Sequence, residues 1–331
     1  MRPDLLKTTL TSLVRIGRTV AIEGAPGGGK TSIVNEVAHE LGKPLIHLHM
    51  PTMPVEDFGV PWPNADEPNF EYKMPHWYPY EGKPGTEGGG IILFDDRNQA
   101  SADIQKVLAN VCQAHELHGV PLAKGWTCVS TGNRQQDRAG ANRVLTQLRN
   151  RETVLEFETH LDDSTSWMLD NGVRPEVVSF LRFRPNLLHD FDPQRDQNPT
   201  PRSWVEGVSP VLGEVPAEAE YECFKGAVGE GAAAEFVGFM KVFRKLPKPD
   251  AVLLDPSNHP VPEDVATLYA LSGALAARAN NGNFERVVTY ADRMPSEFSV
   301  LTVTMATRRD ESLYDTAAFV RWGERNQSVL F

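Results

Sequence analysis

The sequence predicts an α/β core built on a mostly parallel sheet, followed by an all-helical region. Three observations lead to this prediction. A glycine-rich loop joins an apolar strand to an amphipathic helix near residue 24, strands and helices alternate through Phe157, and only helical periodicity follows Asp162. Alternating strands and helices are typical of a parallel α/β sheet.

The length indicates two domains, or one large domain with a lid, because 331 residues exceed one small core. We predict a core over residues 1–160 and a helical lid with a C-terminal helical region over 161–331. A segment rich in proline and aspartate, residues 245–263, is predicted to be a linker inside the second part.

The strands of the core are predicted from short apolar runs. They cover residues 19–23, 45–49, 91–94, 126–131 and 154–157. Apolar residues at helical spacing predict one helix from Ile33 to Leu41 and another from Ile104 to Val111. Residues 51–90 are rich in proline, glycine and aromatic residues, and they are predicted to be an insertion with short elements of its own.

The second part is predicted to contain only helices. Short helices are expected over residues 167–169, 176–183 and 203–212, and longer ones over 236–243 and 265–275. Two more helices are expected near 283–292 and 312–323.

The glycine-rich loop fits the phosphate-loop pattern G-x-x-x-x-G-K-[ST]. Glycines allow successive backbone N–H groups to face phosphates, and the following helix N-terminus favours anions. Lys30 is expected to reach the β- and γ-phosphates of ATP, and the Thr31 hydroxyl to hold Mg²⁺. The predicted nucleotide-binding residues are Gly24, Ala25, Pro26, Gly27, Gly28, Gly29, Lys30, Thr31 and Ser32.

Two acidic residues and an asparagine at strand ends complete the predicted site. Asp95 and Asp96 end an apolar strand, where one carboxylate would hold Mg²⁺ and the other would act as a base or orient water. Asn133 ends the next strand and is placed to contact the attacking water or the γ-phosphate. Asp95 and Thr31 are therefore the predicted Mg²⁺ residues.

The ordered set of motifs resembles the MoxR-type AAA+ ATPases, in the branch close to the dynein-related ATPases. The resemblance covers nearly the whole chain. It is carried by the phosphate loop and by the segments IILFDDRNQA (91–100), STGNRQQDR (130–138), LRNR (148–151) and TPRSW (200–204). It implies a P-loop AAA+ core followed by a helical lid.

The resemblance also implies roles for polar residues outside the loop. Asn133 corresponds to the polar sensor near the γ-phosphate, and Arg202 to the lid arginine that reports nucleotide state. Arg151 corresponds to the arginine finger that completes a neighbouring subunit's site, with Arg149 as the alternative. A finger supplied by a neighbour implies a homo-oligomeric ring, expected to be a hexamer.

Two residues depart from the pattern that the resemblance leads us to expect. Asp96 stands where the family has glutamate, so its carboxylate lies one methylene nearer the backbone, and slow hydrolysis is expected unless Asn98 and Asn133 help to position the water. Glu152 stands where the family carries an aromatic residue after the finger, which leaves the choice between Arg149 and Arg151 open.

Two segments match the positions where MoxR proteins carry a pore-facing insertion and a second hairpin. They are residues 51–90 and 118–125, and both are candidates for contacting a protein client. Aromatic residues of the insertion are expected either to grip a polypeptide or, for most of them, to pack the insertion itself: Trp62, Phe70, Tyr72, Trp77, Tyr78 and Tyr80.

Composition argues against several other kinds of protein. The formal net charge of −11 gives no support for nucleic-acid or anionic membrane binding, and no apolar stretch is long enough to span a membrane. Three cysteines, Cys112, Cys128 and Cys223, are expected to be buried thiols in a cytoplasmic protein. His47 with His49, and His115 with His118, lack a third metal ligand at a convincing spacing.

The leading interpretation is a ring ATPase that couples MgATP hydrolysis to remodelling or assembly of a protein partner, in the manner of a chaperone. The resemblance implies a partner with a von Willebrand A-type domain. Two alternatives remain open. One is a nucleotide-gated scaffold with little hydrolysis, which Asp96 favours, and the other is a nucleic-acid motor or loader, which the acidic composition disfavours.

Overall fold

The computed structural model describes residues 1–66, 69–137, 143–246 and 249–326. The chain divides into two compact units, Met1–Thr159 and His160–Phe331. Arg138, the last residue of the segment 130–138, lies outside the described residues.

The first unit contains nine strands and four α-helices among its described residues. The strands are β1 (Val20–Gly24), β2 (Leu45–His49), β3 (Val60–Pro63), β4 (Phe70–Lys73), β5 (Gly90–Asp95), β6 (Glu116–Leu117), β7 (Val120–Pro121), β8 (Trp126–Asn133) and β9 (Thr153–Phe157). The helices are α1 (Pro3–Arg15), α2 (Lys30–Glu40), α3 (Ala102–Ala114) and α4 (Thr146–Arg149).

Five of these strands form one parallel sheet in the order β2-β5-β8-β1-β9. The register aligns Gly24 with Asn133 across β1 and β8, and His49 with Asp95 across β2 and β5. All five strands run in one direction, so their carboxyl ends share one edge, where ligands bind in open α/β sheets. The predicted site residues at strand ends therefore lie along that edge.

Helices cover both faces of this sheet. On one face, α1 and α2 pack on Val20, Ile22, Ile91, Leu93 and Val129. On the other face, α3, α4 and the insertion pack on Ile92, Phe94 and Cys128. Helix α1 was not predicted, although its buried residues Leu6, Leu10 and Val14 recur at intervals of four.

The insertion contains short elements, as predicted. Two 3₁₀ turns, Met50–Thr52 and Val55–Phe58, precede an antiparallel hairpin made of β3 and β4. Strands β6 and β7 form the second hairpin, so it spans residues 116–121 rather than the predicted 118–125. The ring of Tyr72 stacks on that of His118 with centroids 3.7 Å apart, which joins the two hairpins.

The aromatic residues of the insertion divide between two environments. Trp77 and Tyr78 are buried and Tyr80 is half-buried. Trp62, Phe70 and Tyr72 are exposed by 56 %, 61 % and 39 %. Packing is thus observed for Trp77, Tyr78 and Tyr80, whereas the three rings on the β3–β4 hairpin remain exposed, although Tyr72 stacks on His118.

The second unit has no strand among its described residues. Its helices are α5 (Leu161–Asp170), α6 (Pro175–Phe183), α7 (Glu220–Val228), α8 (Glu230–Lys245), α9 (Pro249–Leu254), α10 (Val265–Arg278), α11 (Phe284–Ala291), α12 (Ser296–Arg309) and α13 (Ala317–Arg325). The predicted α/β core on a mostly parallel sheet, followed by an all-helical region, is confirmed for the described residues.

An aromatic cluster forms the centre of the second unit. Trp204 is fully buried, donates from Nε1 to the Leu187 carbonyl at 2.7 Å, and packs against Phe180 and Phe236. The predicted helix over 203–212 is instead a π-helix, Ser203–Val208, followed by a turn. The predicted helix over 312–323 is interrupted at Thr316, whose hydroxyl caps α13 by accepting from Phe319 N.

The predicted linker and the cysteines differ in part from what the sequence suggested. Helix α9 lies inside the segment 245–263 that was predicted to be a linker. Cys112 and Cys128 are buried, but Cys223 is exposed on α7, so the prediction for that residue was wrong. Among the described residues, no helix has both the length and the apolar character needed to cross a bilayer.

Candidate nucleotide-binding site

The phosphate loop runs from Gly24, the last residue of β1, to Lys30, the first residue of α2. Gly29 has φ of 105°, a backbone conformation that side chains rarely adopt, and it begins α2. A Cβ on Gly28 would lie 2.8 Å from Cε1 of Phe157. Glycine is therefore required at both positions, and the N-terminus of an eleven-residue helix faces the loop.

Lys30 is buried at the base of this loop. Its Nζ donates to the carbonyl oxygens of Gly24 and Ala25, each at 2.9 Å, and to Oδ1 of Asn133 at 3.0 Å. Ala25, Pro26 and the following glycines are half-buried, and Ser32 is exposed on the first turn of α2. The predicted lysine and the predicted sensor asparagine are thus in direct contact.

Asp95 and Thr31 are also in contact. The Thr31 hydroxyl donates to Asp95 Oδ1 at 3.0 Å, and the Thr131 hydroxyl donates to the same oxygen. The other oxygen, Oδ2, lies 2.9 Å from Nε2 of His47. Burial acts to raise the pKa of Asp95, but the hydrogen bonds from Thr131, His47 and Thr31 together lower it, so the carboxylate is held ionised.

His47 contacts Asp95 in the site, although the sequence had suggested only a structural role for this histidine. It lies on β2, next to β5 in the sheet, and its side chain is 41 % exposed. The sequence feature that could have indicated this contact is a histidine near the carboxyl end of β2, the strand beside β5, which ends at Asp95. Among the described residues, no group of three or more histidines, cysteines and acids is arranged to hold a metal by itself.

The Thr31 hydroxyl and the Asp95 carboxylate suit Mg²⁺. Hard oxygen ligands are those that Mg²⁺ prefers, and in phosphate sites one or two protein groups suffice because phosphate oxygens supply others. The short distance between Thr31 and Asp95, together with the ionised state of Asp95, agrees with this ligand set.

Asp96 follows Asp95 in a left-handed conformation, with φ of 53° and ψ of 43°. Its backbone N–H donates to the Thr131 hydroxyl at 3.0 Å. Aspartate and asparagine tolerate this conformation better than glutamate does, because their short polar side chains interact locally. The backbone thus gives a physical reason for aspartate at a position where glutamate was expected.

The remaining predicted residues are three arginines. Arg149 ends α4 and donates from Nη2 to Glu23 Oε2 at 3.2 Å. Arg151 is half-buried, and within the described part of the chain its guanidinium has no hydrogen bond or ion pair. Arg202 belongs to the second unit, where it is exposed in the helical residues directly before the π-helix, which Thr200, Ser203 and buried Trp204 hold in place.

Glu152, the other departure from the expected pattern, is buried. Its Oε2 accepts from Arg97 Nε at 3.1 Å, and its Oε1 accepts from the Ser130 hydroxyl at 2.5 Å. Burial raises the pKa of Glu152, against the opposing effects of Arg97 and Ser130. Arg97 was not identified from the sequence, because an arginine just after a strand is usually exposed to solvent. In the structure its guanidinium is fully buried.

Comparisons with known proteins gave the following. No protein-family model and no curated protein matches the chain. Among solved structures, one similar chain is NtrX from Brucella abortus in complex with ADP, with 12 % identity, a TM-score of 0.36, and coverage of 98 % of this chain and 68 % of that one. Another is NtrX from the same organism, with 13 % identity, a TM-score of 0.35, and coverage of 98 % and 67 %.

Proposed function

We propose that the chain binds MgATP and hydrolyses it. The observation that carries this proposal is the contact set at one sheet edge, where Lys30 meets Asn133 and Thr31 meets Asp95. Each pair joins a residue at the phosphate loop and the start of α2 to a residue at the carboxyl end of another strand of the sheet. A chance glycine-rich turn would not bring these four side chains together.

Each residue has a separate task in this proposal. The loop N–H groups and Lys30 bind the phosphates, and Asn133 orients the γ-phosphate or the attacking water. Thr31 and Asp95 would hold Mg²⁺, which neutralises negative charge on the phosphates when it is bound. Asp96 accepts a proton from water or orients it, and Asn98 supports Asn133 through hydrogen bonds to its backbone.

We further propose that the active form is a homo-oligomeric ring, with six subunits expected from the resemblance to MoxR proteins. In this ring Arg151 completes the site of a neighbouring subunit. Its guanidinium has no partner among the described residues of its own chain, which supports a role towards another subunit. An arginine supplied in this way can accelerate hydrolysis by about 10³–10⁵. Arg202 is proposed to report nucleotide state from the helical unit.

Steady-state ATP turnover as a function of protein concentration tests this proposal. Specific activity should rise with concentration as rings form, and Arg151→Ala should abolish it. Lys30→Ala should abolish binding of a fluorescent ATP analogue, whereas Lys106→Ala, in an exposed pair with Asp103, should not. Turnover that is independent of concentration and unaffected by Arg151→Ala would contradict the shared site.

We propose that hydrolysis remodels or assembles a protein partner. The exposed side chains of the β3–β4 hairpin, Val60, Trp62, Phe70 and Tyr72, support contact with a polypeptide. A partner with a von Willebrand A-type domain is expected from the resemblance alone. Reduced casein can serve as a model unfolded chain. It should stimulate turnover of the unmodified protein, and the stimulation should disappear in Trp62→Ala/Phe70→Ala.

A second candidate is a nucleotide-gated scaffold that hydrolyses little. The left-handed Asp96, with its short side chain, favours it. This candidate predicts ATP-dependent assembly that survives Asp96→Asn, measured by light scattering. A nucleic-acid motor is disfavoured by the net charge of −11, and the β3–β4 hairpin carries only one lysine on its strands.

A further inference from the structure

A cluster of four charged side chains, three of them buried and one, Arg149, 51 % exposed, lies beside the candidate site. Its centre is Arg97, which is completely buried. Arg97 Nη2 donates to Glu23 Oε1 at 2.9 Å, and Arg97 Nε donates to Glu152 Oε2 at 3.1 Å. We call Arg97, Glu23, Glu152 and Arg149 the Arg97 cluster. Buried charges are costly unless they are paired and hydrogen-bonded, so this cluster requires a specific arrangement.

The sheet is shaped to admit the arginine. Arg97 follows β5, and Glu23 lies on β1, so the guanidinium must cross β8, the strand between them. It does so at Gly132, which is aligned with Glu23. A Cβ on Gly132 would lie 2.8 Å from Arg97 Nη1. The absence of a side chain at this position thus opens the path of Arg97 across the sheet.

Charge balance within the cluster involves Arg149. Glu23 and Glu152 bring two carboxyl groups to the one buried guanidinium of Arg97. Arg149 Nη2 lies 3.2 Å from the second oxygen of Glu23, so Glu23 has a second cationic partner besides Arg97. Glu23 directly precedes Gly24, the first residue of the phosphate loop. Arg149 is therefore bound to the base of the loop in its own chain.

The cluster also flanks Arg151. Arg149 is attached to Glu23, and Glu152, the residue after Arg151, is attached to Arg97 and Ser130. The segment from Arg149 to Glu152 is thus fixed at both ends, and the guanidinium between them has no partner among the described residues. The two arginines therefore have different environments although they are two positions apart.

We propose that Arg149 is a positioning residue that acts within its own subunit through Glu23, while the Arg97–Glu152 pair positions Arg151 for the neighbouring subunit. This inference rests on the proposed function. It assigns different tasks to the two arginines and makes the Arg97 cluster the connection between one subunit's phosphate loop and the finger that it offers to the next.

Mixing of variants tests the assignment. Lys30→Ala subunits cannot bind ATP but carry both arginines. Mixed with Arg151→Ala subunits, they should restore turnover, because they supply Arg151 to a neighbour that has an intact ATP site. Mixed with Arg149→Ala subunits, they should restore nothing, because Arg149 is needed in the subunit that binds ATP. Arg15→Ala, an exposed arginine on α1, is the matched control and should behave as the unmodified protein.

The effect of each variant alone is also expected to differ. Arg149→Ala should lower kcat/KM by about tenfold, mainly through KM, and Arg149→Lys should recover part of the loss. Arg151→Ala should lower kcat by about 10³-fold or more. Restoration of Arg149→Ala by mixing, or unchanged kinetics in Arg149→Ala, would overturn the assignment.

Binding of a fluorescent ATP analogue gives a readout that does not require hydrolysis. Arg149→Ala should raise the Kd, since Glu23 at the base of the loop loses one of its two partners, and Arg151→Ala in dilute, unassembled protein should leave it unchanged. An unmodified protein that binds ATP without turnover would contradict the proposed hydrolysis. The Kd values would then decide the role of Arg149: an unchanged Kd in Arg149→Ala would overturn the inference.

Discussion

Asn98 holds the backbone of Asn133 through both ends of its side-chain amide. Nδ2 donates to the Asn133 carbonyl at 2.6 Å, and Oδ1 accepts from the Asn133 N–H at 3.3 Å. The side chain of Asn133 in turn accepts from Lys30 at 3.0 Å. The turn after Asp95 and the candidate sensor residue are consequently one hydrogen-bonded unit.

Asn98→Leu should break this unit. It would leave the buried N–H and carbonyl of Asn133 without partners, and each unsatisfied group costs about 1–3 kcal/mol. We expect a lower free energy of unfolding in urea and lower ATP turnover. Gln113→Leu, at an exposed position on α3, should change the free energy of unfolding by no more than about 0.5 kcal/mol. Equal stability of the two variants would contradict the assigned role of Asn98.

Asp96→Asn tests the role of the second carboxylate. Asparagine has the same size and also tolerates the left-handed backbone, so folding and ATP binding should persist. Turnover should fall by about 100-fold or more if this carboxylate acts on water. Asp96→Glu separates the effect of side-chain length from that of backbone strain. Faster turnover with slightly lower stability would indicate that the shorter side chain limits hydrolysis in the unmodified protein. Unchanged turnover in Asp96→Asn would exclude the proposed role.

Gly132→Ala should disturb the crossing of Arg97. The new Cβ would lie 2.8 Å from Arg97 Nη1 and 3.1 Å from Asn98 Oδ1, so both side chains must move. Overpacking of this kind costs about 1–3 kcal/mol, measurable by urea unfolding. Gly226→Ala on α7 is the control, since a Cβ there meets nothing within 4 Å and alanine favours a helix. A stable Gly132→Ala protein with normal turnover would show that the crossing is not tight.

Asp264 predicts a pH dependence of stability. Its carboxylate caps α10 by accepting from Thr267 N at 2.8 Å, and the hydrogen bonds from Thr267 lower its pKa. Because this pKa is lower in the folded than in the unfolded protein, the ionised carboxylate stabilises the fold at pH values above the ordinary carboxyl pKa. This stabilisation is lost as the pH falls through the pKa of the folded protein. Asp264→Ala should cost about 1 kcal/mol at pH 7 and less in acid.

Asp264→Asn provides the matched comparison, because asparagine caps helices nearly as well but does not titrate. The Tm of each protein can be measured between pH 7 and pH 3. At neutral pH the unmodified protein and Asp264→Asn should have similar Tm values. Below the ordinary carboxyl pKa, the native protein alone should lose the contribution of this cap. Parallel curves throughout the range would contradict the assignment.

The proximity of the candidate site residues could be predicted from the sequence because they follow a simple geometric rule. Asp95 and Asn133 end strands of the parallel sheet, and Thr31 lies in the first turn of the helix after the phosphate loop; such positions meet at one edge. Strand β2 was predicted with its observed limits, Leu45–His49, since apolar residues bounded by proline and a turn mark it clearly.

The contacts that the sequence did not predict depend on strand order. His47 meets Asp95 only because β2 lies beside β5, and Arg97 reaches Glu23 only because β8 lies between them with glycine at the crossing. No local pattern encodes these neighbours. In the helical unit, the apolar periodicity continues across two interruptions that it does not reveal. One is the helix cap at Thr316, and the other is the wider turn of the π-helix after Arg202.

The β3–β4 hairpin has a consequence for local stability. It forms a sheet of two strands, no third strand from the described residues pairs with it, and its side chains are exposed. Its ring contact with the remainder of the unit is the stack of Tyr72 on His118. Isolated hairpins are marginally stable in water. Amide protons of Trp62 and Tyr72 should therefore exchange with deuterium far sooner than those of Ile92 and Val129, through an opening that leaves the five-stranded sheet intact.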